Sequence, residues 1–178
     1  MKFNLKYEDI IIYIDKKQNK IKENLLLKKA IEIPKYHKTF KGFKNEFNNK
    51  NSFRFSFIDR FNNGYEIYVD IGYAFKHFEK NTYFENRQKL NATLFPTLTK
   101  PFLVLKDIEQ NTKKQRLTFY KPFYNRNKNI IHIVCFNLEE TDRGNFVYKT
   151  LYQLSNLGKI KKYFEHPLNH IIYLDKFK

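Results

Sequence analysis

The sequence predicts an α+β fold: N-terminal helices packed on a four- to five-stranded antiparallel sheet. Three observations predict it. The first 63 residues are polar and rich in Lys and Asn, and their clearest apolar pattern of helical length is KENLLLKKAIEI. From Pro101 onward, PFLVLKDI, QRLTFYKPF, NIIHIVCFNL and NFVYKTLYQL are separated by polar linkers holding Asn, Asp and Gly, which suits an antiparallel meander. A chain of 178 residues that is 42% hydrophobic can bury one real core.

The elements follow in order. DIIIYID near the N-terminus reads as a short strand, and KENLLLKKAIEI as a helix ending before Pro34. FKGFKNEFNNKNSFRFSF sets Phe every few residues among Lys and Asn. It is either an RNA-facing segment or a loop-rich cover on the core. The organisation changes near residue 63, which divides an N-terminal segment (1–63) from a domain (64–178). YEIYVDI alternates as a strand, and GYAFKHFE turns as a short helix. Thr82 and Glu85 have capping-box spacing. The helix behind them, YFENRQKLNATLF, stops at Pro96 and puts Tyr83, Arg87, Leu90 and Leu94 on one face. NIIHIVCF is apolar on both faces, as a central strand requires. A short helix over 154–163 and a last strand, HIIYL, complete the chain.

Charge bounds the partners. The chain carries 34 Lys+Arg against 18 Asp+Glu, a net +16. A polyanion is the simplest partner, and nucleic acid the commonest one. Lys outnumbers Arg 28 to 6, which also fits a basic protein from an Asn- and Lys-rich genome. Aromatics make up 18% with no Trp, enough to fill a core and leave rings for stacking. Cys135 stands alone, which excludes an internal disulfide and a Cys-based zinc cluster. In IIHIVCF it reads as a small buried hydrophobe. MKFNLKYEDIIIYID is broken by charges too soon for a signal peptide or membrane span, so the expected location is cytoplasmic, with no membrane partner. No cofactor or metal is expected. There are 5 Gly and no glycine-rich phosphate loop, LEETD reads as a solvated turn, and Pro167 argues against a zinc helix through His166 and His170.

Two residues break the apolar pattern in GYAFKHFEKNTYFENRQKL. His77 lies on the short helix with Tyr73 one turn before it. Arg87 lies on the apolar stripe of the next helix. A guanidinium stays charged and is costly to bury alone, so Arg87 has a carboxylate partner or reaches a cleft where an anion binds. His77 alone would read as a hydrogen-bonded core or surface histidine. Alternation puts Arg116, Thr118 and Tyr120 on one strand face. It puts Tyr148, Thr150 and Tyr152 on another, with Lys149 pointing the other way. These are cleft candidates or ordinary β formers. His132, among Ile130, Val134 and Phe136, reads as a core histidine.

The segment from about Tyr65 to Leu174 resembles the barnase–EndoU–colicin–RelE (BECR) nuclease family, closest to its phage and mobile-element versions. The pattern is a strand, a His-bearing helix (GYAFKHF), a second helix with an Arg (YFENRQKL), a turn into strand (TLTKPFLVLKD), and a late strand with a polar residue (NFVYKTLYQL). The resemblance covers about the last two-thirds of the chain. It implies a metal-independent ribonuclease of toxin-like or mobile-element origin, with RNA as substrate and an acidic antitoxin or immunity protein as partner. His77 matches the helix histidine as the proton-transfer group, Arg87 the basic residue that stabilises the phosphate, and Thr150 the late-strand hydroxyl. Tyr120 or Lys121 matches the earlier-strand position, and Arg116 and Tyr148 join them as substrate-binding residues. The chain departs from the family in its long N-terminal segment and in lacking a second catalytic His. The rival expectation is a basic nucleic-acid-binding protein that cuts nothing, or a degenerate domain serving phage assembly.

Overall fold

The computed structural model describes residues 30–80, 87–125, 130–154 and 170–175. Their elements run β1 (Ile31–Glu32), α1 (Phe40–Asn45), β2 (Ser52–Ile58), β3 (Gly64–Asp70), α2 (Ile71–Glu79), a 3₁₀ segment (Arg87–Thr93), α3 (Leu94–Thr99), β4 (Leu103–Ile108), β5 (Gln115–Asn125), β6 (Ile130–Glu140), β7 (Phe146–Leu154) and β8 (His170–Leu174).

The expected α+β layering, with N-terminal helices on a four- to five-stranded antiparallel sheet, is corrected. The described chain is mostly sheet: eight strands in one mixed, curled half-barrel, in the order β2-β3-β7-β6-β5-β4-β8 with β1 beside β5. The β3–β7 and β1–β5 pairs are parallel, and the other pairs are antiparallel. The extra strands have a physical origin in the Phe-rich stretch. Phe53, Phe55 and Phe57 alternate with Arg54, Ser56 and Ile58. They pair with Val69, Ile67 and Tyr65 along the whole of β3. One face of β2 thereby joins the core, so the second half of the stretch is an edge strand, while α1 and the turn after it cover the core with Phe43 and Phe47. The β2–β3 hairpin also ties residues on both sides of position 63 into one sheet. Ile31–Glu32, expected at a helix end, pair with Phe123 and Tyr124 as a parallel strand. The remaining helices are short.

The meander was read correctly in its antiparallel order from β4 to β7. The core fills the concave face. Phe57, Ile67, Phe119, Phe136, Leu138 and Leu151 from the sheet meet Phe43, Phe75, Phe78 and Leu94 from the helices and Phe47 from the turn after α1. The curl brings the two edges of the sheet together. Arg60 N donates to Ile172 O at 2.9 Å, and the Phe57 and Tyr173 rings are 5.8 Å apart.

Pro96 does not end a helix. It sits in the first turn of α3, where a missing N–H costs nothing. The strand at DIIIYID, the Thr82–Glu85 cap, Tyr83, His166 and all but the first residue of the helix expected over 154–163 lie outside the described residues, as does most of the helix at KENLLLKKAIEI.

Candidate functional site

The site starts with the cap of α2. The Asp70 carboxylate accepts from Tyr73 N at 2.7 Å, which fixes the first turn of the helix. Ile71, Ala74, Phe75 and Phe78 then face the core. Tyr73 and His77, four residues apart, stand above one another on the flank of the helix. Their rings stack with centroids 5.9 Å apart and planes 18° from parallel.

Tyr148 on β7 receives this pair from below. Its buried ring stacks on Phe78 and touches Phe136, Tyr73 and His77 at centroid distances of 5.7–6.1 Å. Its hydroxyl lies 3.0 Å from His77 Nδ1. Arg87 opens the 3₁₀ segment and reaches the other side of the imidazole, with Nη1 3.3 Å from Nε2. The segment is held by Asn91, 1% exposed, whose side chain pairs both the N–H and the C=O of His37 at 2.8 Å.

These contacts fix the protonation pattern. A guanidinium only donates, so it meets His77 Nε2 at the lone pair. The hydrogen is then on Nδ1, which donates to the Tyr148 oxygen. Burial holds the imidazole below its ordinary range, and the charges of Arg87 and Lys80 push it the same way. His77 is therefore neutral at neutral pH, with its basic nitrogen facing a cation. Burial also pushes the Tyr148 phenol far up, so it stays protonated. Arg87 Nε is buried and finds no hydrogen-bond partner among the described residues.

The structure brings His77, Arg87 and Tyr148 together, and it separates the other candidates from them. Thr150 was expected beside Tyr148. Between Asn137 and Leu138 the β6–β7 register shifts, so that Asn137 pairs with Thr150 and Leu138 with Tyr148. Lys149 is the extra residue of a β-bulge. Beyond it the alternation inverts: Leu151 takes the core face, and Thr150 and Tyr152 turn to the opposite one. Thr150 Oγ1 donates to Leu151 O at 3.4 Å. Arg116 and Tyr120 also take the opposite face of the sheet. Arg116 is engaged by Asp107 there, and Tyr120 is 2% exposed against Leu103 and Cys135 in the pairing register. Lys121 shares the core face, where its buried ammonium donates to Lys100 O at 2.5 Å. Cys135 is buried, as its apolar run predicts.

Two contributors escaped the sequence reading. Tyr73 had its position read but not its stack, which the i, i+4 spacing to His77 could have shown. The bulge at Lys149 carries no sequence signal.

No family model matches the chain, and neither does any curated protein or solved structure. The chemistry of the site therefore rests on its geometry. Among the described residues, no group of three or more His, Cys, Asp or Glu is placed to hold a metal ion. No helix among them is long and apolar enough to cross a membrane.

Proposed function

We propose that the protein is a metal-independent endoribonuclease, toxin-like or carried by a mobile element, acting in the cytoplasm. One observation carries the reading: a neutral imidazole whose basic nitrogen faces a guanidinium that lacks a carboxylate partner among the described residues. A side chain held only for stability would be given an anion instead. The net charge of +16 supplies attraction for RNA and for an acidic antitoxin or immunity protein.

RNA brings its own nucleophile. As RNA binds, Arg87 moves from Nε2 to the phosphoryl oxygens and frees the lone pair; His77 Nε2 then takes the proton of the 2′-hydroxyl, and the oxygen attacks phosphorus. The bond to the 5′-oxygen breaks, leaving a 2′,3′-cyclic phosphate on one product. Arg87 stabilises the charge that builds on the phosphoryl oxygens. The exposed Tyr73 phenol, stacked beside the imidazole, gives up its long 3.4 Å hydrogen bond to Lys149 O and protonates the leaving 5′-oxygen. Tyr148 orients His77 and keeps the hydrogen on Nδ1.

The test is to incubate the protein with total RNA in excess EDTA and map the new ends. Wild type yields cyclic-phosphate ends, and His77→Ala yields none while still binding RNA. Equal cleavage by His77→Ala, or none by wild type, ends the reading. In the second case, salt-dependent binding without products would favour a basic nucleic-acid-binding protein.

A further inference from the structure

The opposite face of the sheet carries a second cluster of charged side chains, two arginines and two carboxylates, that the His77 cluster does not use. A cleft of about 430 Å³ opens where β2, β3 and the β6–β7 hairpin meet. Its size is that of a small-ligand site. Its floor is Tyr68 and Val147, the outward residues of the short parallel junction between β3 and β7. Arg54, directly opposite Tyr68 in the β2–β3 register, lays its guanidinium over that ring at 4.9 Å from the centroid. The hairpin brings the second arginine. Gly144 N donates to Thr141 O at 2.9 Å, and Gly144 takes φ +81°, a turn that sets Arg143 at its tip.

The charges around the cleft are arranged unequally. The Glu66 carboxylate accepts from Ser56 Oγ at 2.5 Å, and Asp142 pairs with Lys114 at 3.4 Å. Neither Arg54 nor Arg143 has a carboxylate partner among the described residues. Both carboxylates have polar partners, whereas Arg54 has the Tyr68 ring beneath it and its fork is left open among the described residues. Arg is also scarce in this chain, 6 against 28 Lys, yet two of the six line this cleft. Arg differs from Lys in the two properties that matter here. Its plane stacks on an aromatic or a base, and its fork takes phosphate through two donors.

We propose that this cleft binds one nucleotide of single-stranded RNA, at a place separate from the His77 cluster. The base stacks on the Arg54–Tyr68 platform, and its phosphate is taken by Arg143. Stacking tolerates any base, because every base has a flat face. The cleft therefore holds the strand without reading its sequence. The proposal rests on RNA being the ligand, but not on its being cut.

Binding is measured by fluorescence anisotropy with a short labelled RNA whose 2′-hydroxyls are methylated, which 2′-attack cannot cleave. Arg54→Ala and Tyr68→Ala weaken binding roughly 5- to 100-fold, the range of one stacked base. Tyr68→Phe keeps the affinity. Arg143→Ala lowers the salt slope by about one. Lys50→Ala, an exposed control, changes affinity less than about twofold. Arg54 is exposed on an edge strand, so its variant reports on the cleft even where Tyr68→Ala unfolds the sheet. Wild-type affinity in Arg54→Ala, or a loss no larger than that of Lys50→Ala, overturns the proposal, as does wild type that binds no RNA. Cleavage of unmodified RNA is followed in parallel. Cutting with unaffected binding in the variants sinks the cleft alone, and binding losses without cutting sink the catalytic reading alone.

Discussion

Arg87, at the start of the 3₁₀ segment, and Arg116, on β5, have opposite surroundings. Arg116 sits directly across from Asp107 in the β4–β5 register and meets both of its carboxylate oxygens, at 2.9 and 2.5 Å. The hydrogen bonds to Asp107 push its guanidinium further up. Arg87 touches an imidazole at 3.3 Å and leaves its buried Nε without a partner among the described residues. The first arrangement neutralises a charge where it lies. The second keeps a positive field open beside a nitrogen base, at some cost in stability. On the proposed function, the difference separates a cation that holds the fold from one held for RNA.

The sharpest break of that comparison removes the base. His77→Ala should lower cleavage about 10²- to 10⁴-fold, the usual contribution of one proton-transfer group. RNA affinity, read by anisotropy, should stay within about threefold, because His77 is neutral and adds no charge to binding. The two arginines come next and should give mirrored results. Arg87→Ala should lower kcat about 10²- to 10³-fold and shift stability by less than about 0.5 kcal/mol. Arg116→Ala should leave kcat within about twofold and cost about 1–3 kcal/mol, because Asp107 loses both hydrogen bonds from Arg116 at a site only 13% exposed. Turnover and thermal melts on both variants decide it. Equal stability losses would mean that Arg87 is structural after all.

Tyr148→Phe sharpens the same contrast at smaller scale. It removes the oxygen that accepts from His77 Nδ1 and leaves the ring packing on Phe78. Cleavage should fall about 2- to 10-fold, the worth of one hydrogen bond.

The pH profile follows from the direction of the His77 shift. Its folded pKa lies below the ordinary ~6.5, so the base form fills as pH rises through that lower value. The rate should climb on an acid limb below pH ~6.5 and level off at neutrality. Stability follows the same direction. Between the folded pKa and ~6.5 the unfolded chain holds the proton and the folded chain does not, so this term stabilises the fold increasingly with rising pH. Arg87→Ala removes the nearby positive charge and should move the limb upward. An unmoved limb would show that the guanidinium field does not reach the imidazole.

The strands from β4 to β7 and the short helix bearing His77 were legible because each rests on local periodicity. Val69 and Ile71 bound a clean alternation, and Ala74, Phe75 and Phe78 repeat at helical spacing. The fold class was not legible. Whether Phe53, Phe55 and Phe57 make a cover or an edge strand depends on β3 offering Val69, Ile67 and Tyr65 opposite them, which is a long-range fact. The pairing of His77 with Arg87 could be inferred only as neighbouring helices that happen to converge. The partner of Arg116 was equally hidden, since Asp107 lies nine residues away across a turn.

Thr150 is the finest test, because the expected effect is absence. Alternation counted from Tyr148 brings Thr150 to the site, and the bulge at Lys149 takes it away. One extra residue in one strand reverses which side every later residue faces. Leu151, which alternation would expose, is fully buried, and it pairs with the core residue Phe136. Thr150→Val keeps the shape and β propensity and deletes only the hydroxyl. Cleavage should therefore stay within about twofold of wild type, and deleting Lys149, which leaves the Asn137–Thr150 and Phe136–Leu151 pairs in unbroken register, should keep Thr150 on the face opposite Tyr148. A large loss from Thr150→Val with an unchanged melt would mean that β7 pairs with β6 without the bulge, and that the late-strand hydroxyl belongs with His77 after all.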